Sequence, residues 1–550
     1  MVALCLVMGV ALLEGARAQA PSLEEPTVVE ASLADLRLAM ERRQITSRQI
    51  TQQYLDRIAR YDAALRAVIT LNPRALDDAD ERDRERARGR VRGPLHGIPI
   101  ALKDNIHTTT MRTTGGALAF SRLVPPYEAT LTVNLRAAGA IILAKTSMTE
   151  LANWVAADMP NHFNPVVGFG MNPYDPRRDP RPGGRGLGIL DPGGSSSGIG
   201  TAANLWAASV GTETSGSILT PSSQTMLVGI KPTVGRVSRR GVIPITADQD
   251  TPGPMAKFVA DAAILLGAME SASPDPRDPA TTRCVPPLGR DYTDNLDAGR
   301  LRGARIGIPR RFYYDRLDPS RRAAMAEAIA VLKRLGATVI DPADPPSVTD
   351  TDPAGNLLAW GICAAPGGGK GDDTRCSVVL KYGMKRDFNR WLASLEGRGP
   401  VRTLGELRAW NRERAESGAL RFGQAQLDIS DEMDLEADRP RYEVDRRRDV
   451  LLAATRGIDA ALREERLDAL LFPGSNGSSI AARAGYPSII VPFGVVPVRG
   501  LAALPEDFES RPSPFGVTFT GAACSEPSLI GFAYAFEQAT RRRMTPPEFP

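Results

Sequence analysis

Short apolar runs, each too brief for a helix of ordinary length, recur along the chain with helical patterns between them. They occupy 97–102, 140–144, 305–308, 337–340, 467–473 and 488–492. A strand covered on both faces reads this way, because neither side needs polar residues. The stretch 305–340 is the clearest unit: a strand pattern, a helical pattern over 319–335, then a second strand pattern. That order makes a crossover and hence a parallel pair. The fold class that follows is α/β, and no internal repeat interrupts it.

The remaining elements are read locally. Ser32 with Asp35, and Thr46 with Gln49, are capping-box patterns opening two helices whose apolar faces carry Leu33, Leu36 and Met40, then Ile50, Tyr54, Ile58 and Tyr61. The mixed charges of 79–90 predict a solvated helix face. Helices are also expected over 131–138, 204–210, 257–269 and 527–540, with a strand over 515–521. A Pro/Gly/Arg-rich loop spans 160–194, and loops of that length commonly carry function. The resulting division is a leader over 1–20 and one domain over 21–550. Within that domain lie an N-terminal helical region (30–92), a core (93–310), a helical cap or substrate-binding insertion (345–450) and a C-terminal part of the core (451–550).

Composition narrows the partners. Sixty-eight Lys and Arg against 64 Asp and Glu leave a net charge of +4 over 550 residues, too dilute for a nucleic-acid footprint. The apolar run from Val2 to Leu13 is too short to span a bilayer, and Ala18-Gln19-Ala20 supplies a small-x-small cleavage pattern. Export, periplasmic or secreted, with cleavage after Ala20 is therefore expected, although no Lys or Arg precedes the run. An oxidising compartment would let Cys363 and Cys376 pair across their Gly-rich loop; four reduced, buried cysteines are the alternative. No CxxC pair occurs among Cys284, Cys363, Cys376 and Cys524.

The chemistry begins with a negative. The three histidines, His96, His107 and His162, lie in no G-x-S-x-G elbow context, and there is no HExxH. A hydrolase here needs a base other than imidazole. Lys103 ends the apolar run 97–102, where burial would depress its pKa and leave a usable neutral amine. Asp191-Pro192-Gly193-Gly194-Ser195-Ser196-Ser197-Gly198 is a glycine–serine turn, which alone reads as a loop or an anion nest. Gly211-Thr212-Glu213-Thr214-Ser215-Gly216-Ser217 is a run of small residues whose N–H groups can converge as an oxyanion hole.

Together these segments resemble the amidase signature family. The resemblance continues through 227–235, 249–255 and 259–263, and near the C-terminus through 484–489, 525–527 and 533–540. It implies an amidase-signature fold, a large mixed sheet flanked by helices on both faces. The implied reaction is hydrolysis of a carboxamide C–N bond through a Ser–cisSer–Lys triad, with aryl amides, carbamates and esters as further candidates. Ser217 would be the nucleophile, Ser195 the bridging serine after a cis Gly194–Ser195 peptide, and Lys103 the base. The N–H groups of Thr214, Ser215, Gly216 and Ser217 would form the oxyanion hole, with Ser196 and Asp250 in support. The resemblance implies a small-molecule or short-peptide amide as substrate and no cofactor, metal, nucleic acid or obligate partner chain. Two alternatives stay open: transamidation like that of the glutaminyl-tRNA amidotransferases, and a catalytically dead exported binding protein on the same scaffold. The second draws on one departure. Between Ser195 and Ser217 lie 21 residues, fewer than the family's common spacing by about two, which would turn a connecting helix by roughly 200°.

Overall fold

The structure, a computed structural model, describes residues 26–181, 184, 186–498 and 504–550. The leader expected over 1–20 lies outside them. Among the described residues, an eleven-stranded mixed sheet runs through the molecule in the order Val68–Leu71, Ile141–Thr146, Pro99–Lys103, Ala208–Glu213, Thr251–Ala256, Val228–Lys231, Ser488–Val496, Ser513–Thr520, Ala469–Pro473, Arg305–Gly307, Thr338–Ile340. Helices surround it, as the α/β reading required. The expected parallel pair is present, with Ile306 opposite Val339.

Local chemistry explains the element starts. Both capping boxes form, at Ser32 ahead of Leu33–Glu41 and at Thr46 ahead of Ser47–Leu65. Each satisfies N–H groups that the first helical turn leaves unpaired. One continuous core runs from Val28 and Leu33 through the sheet to Phe536 and Phe549. A second cluster lies under the cap, where Leu380, Phe388, Trp391 and Leu427 pack on Phe120, Trp154, Phe163 and Phe169. The 160–194 loop is thus half core: its hairpin of Phe163–Asn164 and Gly168–Phe169 is held by that cluster.

One expected helix is not there. Residues 204–207 form a turn instead, and 208–210 enter the central sheet as the start of the strand Ala208–Glu213. Asn204 takes a left-handed conformation (φ 54°) after the helix Ser196–Ala202 and turns the chain. The alanines beyond it are then claimed by pairing on both sides, Ile100 with Ala208 and Met255 with Ser209. Tertiary pairing outweighs the helix preference of alanine.

The Cys363–Cys376 bridge is formed, and so is a second, Cys284–Cys524, whose partners lie 240 residues apart. A cross-link that long removes much denatured-state entropy, so replacing Cys284 and Cys524 together by serine is expected to cost about 2–5 kcal/mol of stability. Denaturant unfolding midpoints of the oxidised parent and the double variant measure it; coincident midpoints would contradict the expectation.

Candidate active site

The register of three adjacent strands sets the site. Pro99–Lys103 runs parallel to Ala208–Glu213 with Leu102 opposite Val210, so the register brings Lys103 to the strand end next to Gly211 and Thr212. Lys103 is fully buried, and its Nζ donates to the Thr212 carbonyl at 3.0 Å. Burial pulls its pKa down to about 8, against a partial opposing pull from the carboxylates of Glu213 and Asp250. The strand then opens into the turn 214–217, where Ser215 is exposed and Ser217 half-buried.

Two carboxylates shape that turn. Glu213 Oε2 accepts the N–H groups of Ile218 and Leu219 at 2.8 and 3.0 Å, pinning the start of the helix Leu219–Gln224. Asp250 accepts the Thr214 hydroxyl at 2.5 Å and the N–H groups of Ile245 and Thr246, both at 2.9 Å. Burial raises the pKa of Asp250 to about 7, with the Thr214 and Ile245 hydrogen bonds opposing the rise. Gly216 has φ 88°, and a Cβ there would stand 3.1 Å from Thr220 Oγ1, so both backbone and space favour glycine. Among the described turn and loop contacts, none engages the N–H of Thr214, Ser215, Gly216 or Ser217. They remain available as donors, which is what an oxyanion hole needs.

The glycine–serine turn meets this loop directly: a Cβ on Gly194 would lie 3.4 Å from Ser217 Oγ. Ser195 is buried, bridges backbone to Met148, and caps the helix Ser196–Ala202, its Oγ accepting the Ser197 N–H at 3.4 Å. Here the structure departs from the expected triad. Among the described residues the cis peptide bonds are Asp341–Pro342 and Ala365–Pro366, and the Gly194–Ser195 bond is not one of them. Among the described contacts, no hydrogen bond joins Lys103 to Ser195 or Ser195 to Ser217. Ser195 serves instead as the N-cap of the helix Ser196–Ala202. The side chain of Ser196 lies outside the described residues.

His162, given no role by the sequence, packs on the same turn. Its Nδ1 contacts the Gly193 carbonyl, which can only accept, so the ring presents its proton there. Its backbone N–H donates to Thr149 Oγ1 at 2.8 Å. Burial pushes its pKa down to about 4, and the nearby Lys103 charge adds to the fall. The other two histidines are elsewhere: His107 Nε2 accepts from Trp391 Nε1 at 2.8 Å, and His96 Nε2 meets the Arg82 carbonyl.

Above Ser217 lies a cavity of about 290 Å³ whose lining side chains are all uncharged. Trp154, Ile245 and Leu380 give it apolar walls, and Asn153, Asn161 and Gln426 give it carboxamides. Leu380 and Gln426 come from the 345–450 segment and Asn161 from the 160–194 loop. Among the described residues, no group of histidine, cysteine and carboxylate side chains is placed to hold a metal ion.

The class of protein comes from its likenesses, an enzyme that hydrolyses amide C–N bonds. The comparisons give its family: the amidase profile matches residues 49–530, and the chain belongs to the amidase signature family. It is 35% identical to a probable amidase of Arabidopsis thaliana over 90% of this chain and 87% of that one. It is 31% identical to a glutamyl-tRNA(Gln) amidotransferase chain of Thermosynechococcus vestitus, covering 89% and 94%. The native peptide amidase of Stenotrophomonas maltophilia superposes with a TM-score of 0.79 at 39% identity, over 94% of this chain and 98% of the other.

Proposed function

We propose that this amidase cleaves its substrate through an acyl-enzyme on Ser217, with Lys103 as the base and Ser195 as the proton relay. The supporting observation is local: a half-buried serine lines an uncharged cavity on a turn with unengaged N–H groups, and that turn follows the strand whose Thr212 carbonyl accepts from the fully buried Lys103. Neutral Lys103 takes the Ser195 hydroxyl proton as Ser195 takes that of Ser217, and Ser217 Oγ attacks the carbonyl. This step requires Ser195 Oγ to leave its capping contact and turn toward both partners. The N–H groups of 214–217 receive the oxyanion, each worth about 3 kcal/mol in the transition state. The proton passes back to the leaving nitrogen, the amine or ammonia departs, and water releases the carboxylate.

A small or peptide-type carboxamide suits the uncharged cavity, and the peptide amidase likeness points the same way. Export fits the small-x-small pattern at Ala18–Ala20 and the two disulfides. Transamidation rests only on kinship with the amidotransferase, and no feature of the cavity favours it. A fluorophosphonate probe is expected to add one phosphonyl group to the peptide carrying Ser217, read by mass spectrometry. Absence of labelling in the folded parent would favour the dead-scaffold alternative.

A further inference from the structure

Behind one wall of the active-site cavity lies a second cavity of about 240 Å³. The segment between the two is shared: Ile245 lines the cavity over Ser217, while Val242 and Pro244 line the other. Asp250 borders the second cavity too, with its oxygens engaged by Thr214, Ile245 and Thr246. Unlike the cavity over Ser217, this one is lined by charged side chains, and most of them neutralise one another. Arg239 grips Asp278 through Nε at 2.8 Å and through a terminal nitrogen as well. Asp387 accepts the Ala247 N–H at 2.7 Å and pairs with Arg386 and Arg390 at 2.7 and 3.5 Å. Arg277 pairs with Asp275 at 3.0 Å.

Arg240 is the exception. Among the described residues no carboxylate pairs with its guanidinium, and its buried Nε has no hydrogen-bond partner. The guanidinium carbon stands over the Tyr127 ring, 3.8 Å from the centroid. Both ends of this arrangement are fixed. The Tyr127 hydroxyl donates to Ser394 Oγ at 2.6 Å, which itself donates to the Trp391 carbonyl at 2.7 Å. The Arg240 N–H donates to Ser238 Oγ and its carbonyl accepts the Thr130 N–H, both at 3.2 Å. A guanidinium stacked on an aromatic ring keeps its N–H edge for a partner in its own plane, and a carboxylate fits that fork through two oxygens. A buried donor left unmade costs free energy that such a ligand can return. Trp391, Val242 and Pro244 add an apolar wall, which suits an acid with a hydrocarbon body better than a bare inorganic anion.

We propose that the cavity beside Arg240 is a second ligand site, taking a small organic carboxylate on the Arg240 guanidinium with its hydrocarbon part against Trp391, Val242 and Pro244. The site is separate from the cavity over Ser217 and does not depend on how that serine reacts. The probe is para-bromobenzoate, whose bromine reports its position by anomalous scattering in co-crystals and whose heat of binding is read in solution. A bromine peak is expected in the cavity beside Arg240. Arg240→Gln is expected to weaken binding about 10- to 100-fold, the range for a lost hydrogen bond to a charged group. Arg240→Lys keeps the charge without the fork and is expected to fall between the two; it also carries the test should the glutamine variant lose its melting transition. The neutral para-bromobenzyl alcohol and inorganic phosphate are each expected to bind more weakly than the acid by about tenfold or more. Bromine found only above Ser217, binding undiminished in both Arg240 variants, or phosphate binding as tightly as the acid overturns the proposal. So does a bromine peak with no heat of binding in solution, which would mean binding at crystal concentration only.

Discussion

Ser217→Ala is expected to lower kcat by about 10⁴- to 10⁶-fold, because the bond-forming atom is lost while cavity and oxyanion donors remain. KM for a slowly turned-over amide should change little, since the cavity above the turn does not depend on the hydroxyl. The measurement is released ammonia or amine against the parent, with a matched thermal melt to exclude misfolding. Turnover within tenfold of the parent would remove Ser217 from the chemistry and with it the acyl-enzyme.

Lys103→Met should cost about 10²- to 10⁴-fold, the range for loss of a positioned general base. The pH profile is the sharper readout. Burial has brought Lys103 down to about 8, so below that pH the amine is protonated and cannot accept a proton; above it the base is free. The parent's kcat/KM is therefore expected to rise about tenfold per pH unit below about 8 and to level above it. In Lys103→Met the residual rate should lose that inflection. A parent profile flat from about pH 6 to 9 would contradict the assignment, as would a variant that keeps the inflection.

Much of this was legible in the chain because the informative residues are local. Lys103 ends an apolar strand, and that pattern carries both its burial and its lowered pKa. The helix starts at Ser32 and Thr46 were readable for the same reason, since a capping box closes within four residues. What failed was what the rest of the molecule decides. Residues 204–210 looked helical by composition, but the chain turns at Asn204 and neighbouring strands on either side hold 208–210 extended. Val68–Leu71 joins the sheet edge; its β-branched Val68, Ile69 and Thr70 suit a strand, but four residues are too few to show a period. Cys284 and Cys524 gave no spacing signal across 240 residues. Glu213, His162, Asn153 and Gln426 acquire their places through contacts between distant segments, so the sequence offered only their chemical types. The Ser195 relay was the family's pattern carried onto a shortened connection, and that connection is where the geometry differs.

The Cys284–Cys524 bridge has a practical consequence. The cap between those cysteines presents an exposed Glu396-Gly397-Arg398 turn, a natural target for a trypsin-like protease. A cut there separates the segment bearing Lys103, Ser195 and Ser217 from the segment bearing Gln426, yet the two pieces stay covalently joined. The nicked protein would run as one band on a non-reducing gel and as two after thiol treatment, so intact mobility alone would not report an unbroken chain.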